Sequence, residues 1–548
     1  MGVEWFSTLR SKLNTIRFPF DSRIHSSIQK TKSMISRPNQ LIRTKKTIPL
    51  WNSIGFVGLI LFCDSLRSEE PPVRSTFCNP LSIPNYPVGR FARDLLKGDH
   101  GPEWMWRLGR RQQFRELADV TALWFDDKWY LYPSVDMAWV SGDRGATWIH
   151  HPLNVRDIGY APTIVNHKGK FLLMASDSPI YISENPLGPF QLLGRIQLER
   201  KNQMPGFIDP MLFSDTDERL YYYWGCSPTG GIWGVELDGD DPTKVISTPK
   251  ELIPFDPVKF PWESVGNWNQ NPKTGWMEGA WMLKRDDKYY LTYCAGGTEN
   301  RTYAIGCYTS DSPLGSFEPQ RRNPILRSID GLVTGSAHGS IVAGPNDELW
   351  AFYSVKASVV HAFERQLGMD RAEIDTSREL VIHGATSLPQ WLPGVQKTDD
   401  QNQTGWLPLN GELQTIGSSD APNLVGRFAV DNDLRTWWQP EEADKAPVLT
   451  TNFMAPSTID AVRIVWRDVG LDTHQGISPG PIRYRIELET AIGTWKTIVD
   501  RSQSQEDLMT DYRECAPAVG NRARLVVLDW PKGIVPAVSE FTIFGNTK

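Results

Sequence analysis

Glu278 has unusual neighbours for a charged residue. It lies in GWMEGAWMLKRDDKYYLTYC (275–294), between tryptophans and methionines and just before KYYLTYC, whose alternating β-rich pattern predicts a strand. Burying a carboxylate among apolar side chains is costly, so a carboxyl group held there has a raised pKa, which suits a proton donor. The alternative is a structural residue at the solvent-facing rim of a sheet.

The strand after Glu278 belongs to a pattern that recurs five times between about residues 115 and 360. An acidic or small polar residue precedes an apolar run, a hairpin-type turn and an aromatic strand. Such a repeat predicts an all-β chain with a five-bladed β-propeller, in which the innermost strand of each blade lines a central channel. The copies are ADVTALWFDDKWYLYPS (118–134), APTIVNHKGKFLLMASD (161–177), IDPMLFSDTDERLYYYWG (208–225), MEGAWMLKRDDKYYLTYCAG (277–296) and GSAHGSIVAGPNDELWAFYS (335–354).

Aligning the copies brings three acids and a histidine to one mouth of the channel. The residues at or next to the start of each inner strand are Asp119, Ala161, Asp209, Glu278 and His338. Glycosidic bond hydrolysis needs one carboxylate as a base and one carboxylic acid as a proton donor. A third acid raises the pKa of the donor by repulsion. The alternatives are a calcium site and a purely structural ring of acids.

Residues 77–393 resemble glycoside hydrolase family 43. The resemblance rests on CNPLSIPNYPVGR, the first copy, FIDP, MEGAW, SPLGSF and GSAHGS, which occur in the order found in the family. It implies a five-bladed propeller that cleaves with inversion. By position, Asp119 would be the general base, Glu278 the general acid, and Asp209 the residue that tunes the pKa of the acid. The chain departs from the family in having Val120 where proline usually follows the first aspartate.

The resemblance also implies further substrate-binding residues. His338 would lie in the channel beneath the sugar, and Arg365 would pair with the tuning aspartate. Each has an alternative reading, as a core histidine and as a surface arginine. Aromatic side chains near the donor would stack on sugar rings or simply pack the blades, and these are Trp276, Trp281, Trp139, Trp104 and Trp106.

The N-terminal segment (1–68) has a different character from the rest of the chain. Residues 1–46 carry ten Lys/Arg against two Asp/Glu, a charge of about +8. The whole chain has a formal net charge of −6, so the remaining residues carry about −14. An acidic body argues against nucleic acid as a partner. The apolar run 48–63 after this basic stretch predicts a signal peptide, with Met34 as an alternative start, or an uncleaved membrane anchor. We therefore expect a secreted, periplasmic or cell-surface protein.

The six cysteines have no CxxC or metal-ligand spacing, which favours free thiols over a disulfide or zinc scaffold.

The C-terminal third reads as a second β domain. Residues 394–412 are polar with scattered Pro and Gly, which predicts a linker. Short alternating strands over 413–548 predict a β-sandwich. AVDNDLRTWW and SEFTIFG resemble a discoidin-type (coagulation factor 5/8 type C) domain, which implies a carbohydrate-binding module. The family also implies a structural calcium, or else an unmetallated turn, at Asp431, Asp433, Thr436 and Glu540.

Together these features predict an exported glycoside hydrolase that needs no cofactor for its chemistry. The resemblance implies polysaccharide or oligosaccharide substrates of the α-L-arabinofuranoside or β-xyloside class, with galactans as a further option. A propeller does not by itself imply hydrolysis. The alternatives are therefore an inactive, lectin-like carbohydrate-binding propeller and an adhesion protein driven by the C-terminal module.

Overall fold

The computed structural model describes residues 74–88, 114–156, 158–200, 204–359, 363–395 and 402–547. The predicted N-terminal segment (1–68), with Met34, and the tryptophans Trp104 and Trp106 lie outside these ranges. Over the described residues, no helix is long and apolar enough to cross a membrane. The short 3₁₀ helices there are Pro261–Glu263, Pro345–Asp347, Gly426–Ala429 and Thr473–Gln475.

Five antiparallel sheets follow one another along the chain, each built on one of the sequence copies, and the predicted five-bladed propeller is confirmed. After β1 (Thr76–Phe77), the first two blades contain β2 (Thr121–Phe125), β3 (Lys128–Tyr132), β4 (Met137–Ser141), β5 (Ile149–Pro152), β6 (Thr163–His167), β7 (Lys170–Met174), β8 (Ile180–Ser183) and β9 (Gln191–Gly194). The next strands are β10 (Met211–Ser214), β11 (Leu220–Trp224), β12 (Cys226–Ser227), β13 (Ile232–Leu237) and β14 (Lys250–Ile253). Of these, β12 joins the fourth blade and the others form the third.

The fourth blade is the widest. Besides β12 it contains β15 (Met277–Arg285), β16 (Lys288–Ala295), β17 (Ala304–Ser310), β18 (Glu318–Pro319) and β19 (Leu326–Arg327). The fifth blade contains β20 (Ala337–Ala343), β21 (Leu349–Lys356), β22 (Arg365–Ile374) and β23 (Leu380–Ile382), and β24 (Gln390–Trp391) follows it.

The second strand of a blade is buried on both faces. LYYYW in β11 is buried throughout, and so is KYYLTYCA in β16 after its first residue. Successive side chains of a strand point to opposite faces, and each blade packs between two others, so both faces enter a core. The alternating pattern of KYYLTYC therefore marks contacts with two neighbouring blades.

The propeller ring closes through side chains and through residues 76–79, which precede the first blade. The backbone N–H of Ala122 in the first blade donates to Oγ of Ser340 in the fifth (2.8 Å). Strand β1 pairs with β24 beyond the fifth blade. The Asn79 side chain exchanges two hydrogen bonds with the backbone of Met369 in β22 (2.9 Å each). These contacts hold the first and fifth blades beside each other. They also hold the inner strands of these two blades together at the channel.

The C-terminal region is one seven-stranded antiparallel sheet wrapped around its own core, consistent with the predicted β-sandwich. The longest strand, Val448–Val469, pairs with Asn410–Gly417 through its first half and with Val535–Thr547 through its second. Core side chains come from both halves, including Leu449, Phe453, Ile459 and Ile464. The strands are β25 (Leu407–Pro408), β26 (Asn410–Gly417), β27 (Val448–Val469), β28 (Arg483–Ala491), β29 (Thr494–Asp500), β30 (Thr510–Asp529) and β31 (Val535–Thr547).

Regular structure begins before the sequence-based boundary at 413. Strand β25 and the start of β26 lie inside the range 394–412 that was predicted as a linker. The Asn402 side chain donates to the carbonyl of Trp391 (2.9 Å), and Trp391 N–H donates back to the Asn402 carbonyl (3.1 Å). The described part of this segment is therefore held against the end of the propeller.

The propeller and the C-terminal sheet share buried polar contacts. Arg115, which is 2% exposed, pairs with Asp468 (3.1 Å) and Asp507 (2.5 Å) of the C-terminal region. Oε1 of Glu514 accepts the backbone N–H groups of Ser75 (2.8 Å) and Thr76 (2.7 Å). Because these groups lose water when the domains meet, they stabilise the interface only as pairs.

Candidate active site

The residues that begin the inner strands share one backbone conformation. All have a left-handed φ between +48° and +60°: Asp119, Ala161, Asp209, Gly279 and His338. This region is costly for residues other than glycine, so its repetition shows that every blade enters the channel in the same way. In the fourth blade the equivalent residue is Gly279, and Glu278 lies one position before it. A Cβ on Gly279 would come within 2.8 Å of Cδ2 of His338, so the histidine ring fills that space.

A ring of small polar side chains surrounds these positions at the end of each second strand. Four of them accept a channel-lining backbone N–H: Ser134 from Ala161 (2.9 Å), Ser176 from Asp209 (3.0 Å), Cys294 from His338 (3.0 Å) and Ser354 from Asp119 (2.8 Å). The fifth, Cys226, pairs directly with Glu278 across β12 and β15. Each blade is thus tied to the next where the carboxylates converge.

Asp119 is buried and held in its ionised form. Its carboxylate accepts hydrogen bonds from Arg365 (2.7 and 3.2 Å) and from Ser134 Oγ (2.8 Å), and it lies 3.2 Å from Nδ1 of His338. Burial alone would raise its pKa, but Arg365, His338 and Ser134 outweigh burial and lower the pKa of Asp119 below its ordinary value. The adjacent Val120 is buried in the blade core, and the carboxylate is positioned without the family's proline.

Arg365 pairs with a different acid from the one predicted. Its guanidinium donates to Glu116 (2.9 and 2.5 Å), to Asp119 and to Thr298 Oγ1 (2.9 Å). The prediction that Arg365 pairs with Asp209 is therefore wrong, as is its alternative as a surface residue, because it is 4% exposed. Placed between two carboxylates, Arg365 balances their charges.

Glu278 is buried and has two hydrogen-bond donors. Tyr303 donates its hydroxyl to Oε1 (2.6 Å), and Cys226 donates its thiol to Oε2 (3.1 Å). Burial raises the pKa of Glu278 to about 7, against the opposing effect of these two hydrogen bonds. A carboxyl group that keeps its proton near neutral pH can serve as a proton donor.

Asp209 and His338 complete the cluster. Burial, followed by the charges of Glu278 and Asp119, raises the pKa of Asp209 well above its ordinary value. Burial lowers the pKa of His338 below its ordinary value, against the opposing effect of the Asp119 charge. Nδ1 of His338 lies 3.9 Å from Asp209 Oδ2. Nδ1 of the histidine therefore lies close to carboxylate oxygens of both Asp119 and Asp209.

The same cluster is where the described residues could bind a metal ion. One ligand atom each from Asp209, Glu278 and His338 lie within 4.8 Å of one another. Calcium prefers six to eight oxygen ligands, whereas this set has one nitrogen and a glutamate already bound by two donors. The side chains here fit proton transfer better than calcium coordination.

The predicted tryptophan contacts divide into two groups. Trp139 is fully buried and donates its indole N–H to the Pro84 carbonyl (2.7 Å). Trp281 is also buried and donates to the Ile341 carbonyl (2.8 Å) between the fourth and fifth blades. Both pack the blades, contrary to the prediction that they contact substrate. Trp276 is half-buried, two residues before Glu278, and remains a candidate.

Sequence reasoning missed the groups that hold the three acids in place. Glu116, Ser134 and Cys226 all contact the cluster, and none was singled out from the sequence. A signal for two of them was present, because four copies carry a Ser or Cys within their last three residues and Cys226 follows directly after the third. Glu116 lies in RELAD, three residues before Asp119, where nothing repeats between blades.

The residues predicted as C-terminal calcium ligands make hydrogen bonds to neighbouring protein groups. Both carboxylate oxygens of Asp433 are bound by Arg435 (2.8 and 2.9 Å from Nε). Asp431 accepts from Thr436 Oγ1 (2.7 Å), while Glu540 accepts from the Asn432 N–H (3.0 Å). Asp431, Asp433 and Glu540 do not form a three-ligand group in the part of the chain that the structure describes. As arranged here, these residues close a turn.

Residues 120–377 match the family model "Glycosyl hydrolases family 43". The chain is 25% identical over 275 residues to a "Beta-D-galactofuranosidase xynD" of Aspergillus niger, covering 43% of this chain and 73% of that protein. It is 25% identical over 288 residues to a "Beta-xylosidase" of Xylanibacter ruminicola, covering 41% and 83%. It is 27% identical over 284 residues to a "Xylosidase/arabinosidase" of Bacteroides ovatus, covering 40% and 81%.

Proposed function

We propose that this chain, whose residues 120–377 match the family model of glycoside hydrolase family 43, hydrolyses glycosidic bonds with inversion, with Asp119 as base and Glu278 as acid. One observation carries this assignment. The pKa of Asp119 is lowered by Arg365 and its other partners against the effect of burial, whereas burial raises the pKa of Glu278 to about 7. Two carboxyl groups whose pKa values are pushed apart have the division of labour that acid–base catalysis needs.

In this mechanism Asp119 takes a proton from a water molecule as that water attacks the anomeric carbon. Glu278 gives its proton to the leaving oxygen in the same step, and the C–O bond breaks. Direct displacement needs the two carboxyl groups roughly 6.5–9.5 Å apart, so that the water fits between base and sugar. Asp209 has a carboxylate oxygen within 4.8 Å of ligand atoms of Glu278 and His338. The charge of either carboxyl group raises the pKa of the other, so Glu278 and Asp209 resist being ionised together, and Asp209 also orients the sugar.

The proposed substrates are α-L-arabinofuranosides and β-xylosides within oligosaccharides or polysaccharides, with galactans as a further option. The names of the relatives support this range, since they include xylosides, arabinosides and galactofuranosides. Nothing in the cluster of acids distinguishes these sugars, because all of them present the same acetal to the base and the acid.

The test is hydrolysis of a panel of aryl glycosides by the full chain, beside Glu278→Gln and Glu263→Gln. Glu263 is a matched control, since it is fully buried, accepts a tyrosine hydroxyl (Tyr293, 2.5 Å) and has a pKa raised by burial to about 7. Release by the wild type and by Glu263→Gln, with loss in Glu278→Gln, supports the assignment. Proton NMR of the first product shows the anomer, and retained configuration overturns inversion.

We also propose that the C-terminal β-sandwich is a discoidin-type module that binds carbohydrate. The resemblance of AVDNDLRTWW to the discoidin turn supports it, and so does the ordered turn that Asp431 and Thr436 close (2.7 Å). Binding of insoluble xylan and arabinan by inactive Glu278→Gln, with and without saturating monosaccharide, separates a second binding surface from the channel. If monosaccharide abolishes all binding, the module has no independent carbohydrate site.

Export is the remaining proposal. The basic residues 1–46 and the apolar run 48–63 support a signal peptide or a membrane anchor. N-terminal sequencing of the protein from its native source distinguishes cleavage after this run from retention. A cytoplasmic protein with an intact N-terminus contradicts export.

A further inference from the structure

Trp268 is the one tryptophan in the described ranges that is mostly exposed, with 74% of its surface open to solvent. It lies in the loop between Ser264 and Trp276, which leads directly into Glu278. Large aromatic side chains are normally buried or half-buried, because exposing their rings forgoes hydrophobic stabilisation. An exposed indole beside a catalytic acid is therefore a candidate contact for a ligand.

The exposed ring is held in one position. The guanidinium of Arg301 lies over it, 4.1 Å from its centroid. Arg301 is itself fixed by Asp330 (2.8 Å) and by both the side chain and the carbonyl of Asn267 (3.0 and 3.3 Å). A cation over one face of an indole is attracted to the ring, and this attraction holds the ring in place. The ring is thus preorganised, which lowers the entropic cost of binding a ligand on it.

The loop itself is rigidly folded. The Asn269 side chain donates to the carbonyls of Trp262 (2.9 Å) and Ser264 (2.7 Å), and its Oδ1 accepts from Arg327 (2.7 Å). The Trp268 N–H donates to Gln270 Oε1 (2.9 Å). These bonds fix the position of the loop relative to the fourth blade.

The loop adjoins the donor side of the active site. The Gly266 carbonyl accepts from Thr302 Oγ1 (2.7 Å), and the next residue, Tyr303, donates to Glu278. An acid that protonates the leaving oxygen lies on the side of the leaving group. The rim of the fourth blade therefore faces the part of the substrate that departs, and Asp119 in the first blade faces the other side.

We propose that Trp268, braced by Arg301, is a stacking platform for a sugar ring on the leaving-group side of an oligosaccharide or polysaccharide substrate. The C–H groups on one face of the sugar ring pack against the indole face, while the hydroxyl groups at the edge of the sugar remain available for hydrogen bonds. This inference rests on the proposed function, since the substrate must be a chain of at least two sugars. It gives the enzyme a preference for chains over simple glycosides.

The test compares Trp268→Ala, Trp268→Phe and the control Phe125→Ala on xylobiose to xylopentaose and on arabinobiose to arabinopentaose. Phe125 is also an exposed aromatic (38%), but it lies at the opposite end of its inner strand from Asp119. We expect Trp268→Ala to lose about tenfold in kcat/KM on the longer chains through KM, the size of one good stacking contact. Trp268→Phe should restore most of the loss, and Phe125→Ala should match the wild type.

Two results separate this inference from the proposed function. If the wild type cleaves these sugars but Trp268→Ala keeps the chain-length dependence of the wild type, the platform is wrong and the hydrolase stands. If the wild type cleaves nothing, the proposed function fails, and calorimetric binding of xylopentaose and arabinopentaose to Glu278→Gln decides the platform. Binding weakened by adding Trp268→Ala supports it, and unchanged or absent binding overturns it.

Discussion

The Arg365 guanidinium donates to both carboxylate oxygens of Asp119, at 2.7 and 3.2 Å, from a strand 246 residues further along the chain. The same guanidinium is bound by Glu116, so one buried cation serves two buried acids. Without it, both carboxylates would face desolvation with no compensating charge. Arg365 is therefore what allows Asp119, the proposed base, to be ionised inside the channel.

Replacing Arg365 by Lys should move the acidic limb of kcat/KM to higher pH. Lysine cannot bind two oxygens in the forked geometry of arginine, so the pKa of Asp119 rises. A base with a higher pKa is protonated, and inactive, at a higher pH. The pH profile on an aryl glycoside measures the shift. Arg321→Lys is the control, because Arg321 is 72% exposed and 3.7 Å from its partner Glu379. An acidic limb that does not move contradicts the pairing.

The wild type should lose activity as pH rises through about 7. Burial raises the pKa of Glu278 to that value, and the acid works only while it is protonated. The plateau should extend to low pH, because the pKa of Asp119 is lowered. A kcat/KM profile measures both limbs. In Glu278→Gln, residual turnover of an aryl glycoside with a good leaving group should no longer fall across this range. A wild-type decline near the ordinary glutamate pKa would contradict the assignment.

Cys226→Ala should move the alkaline limb to still higher pH. The thiol donates to Oε2 of Glu278, and this hydrogen bond favours the ionised carboxylate. Removing it makes the proton harder to lose, so the pKa of Glu278 rises. Cys226→Ser keeps a donor and should stay close to the wild type. Cys307→Ala is the matched control, since Cys307 is a buried free thiol in the same blade that donates to a backbone carbonyl. An alkaline limb at the same pH in all three variants would show that the Cys226 thiol does not affect the pKa of Glu278.

The five blades could be predicted from sequence because each is a local unit. Hairpin turns, apolar runs and aromatic strands recur within about 20 residues, and the propeller geometry then places equivalent residues at one mouth. The positions of Asp119, Asp209, Glu278 and His338 follow from that symmetry alone. No long-range information is needed to bring them together.

The partners of these residues depend on contacts that no local pattern encodes. Arg365 lies 249 residues from Glu116, and nothing in FERQLGMD tells which acid it meets. Trp139 and Trp281 have the same sequence surroundings as substrate-stacking aromatics, but the packing of neighbouring blades buries them. Trp268 escaped notice for the converse reason, since a loop sequence does not show which side chain stays exposed.

Gly279→Ala should reduce both stability and kcat. The residue has φ +60°, and its Cβ would meet the ring of His338 at 2.8 Å. Gly169→Ala is the matched control, because Gly169 has φ +78° with nothing within 4 Å. The left-handed backbone costs about 1–2 kcal/mol in either variant. Thermal melting measures that shared cost, and only Gly279→Ala should also lose turnover through displacement of His338. Equal turnover in the two variants would show that the histidine ring moves without consequence.

Arg115→Met should lower the melting temperature of the propeller and the C-terminal sheet together. Arg115 is 2% exposed and binds Asp468 and Asp507, which are 14% and 4% exposed. Removing the cation takes this charge partner away from two buried carboxylates, at a cost of about 3–5 kcal/mol. Arg321 is 72% exposed and lies 3.7 Å from Glu379. Such a solvated contact is worth about 0–1 kcal/mol, so Arg321→Met should melt like the wild type.

The double variant Arg115→Met/Asp507→Asn tests the cause of that loss. It removes the buried negative charge of Asp507 as well as the cation of Arg115, so part of the lost stability should return. Because the three side chains span both domains, the wild type and the variants should unfold in one calorimetric transition. Two separate transitions, with only one sensitive to Arg115→Met, would mean that the interface does not couple the domains.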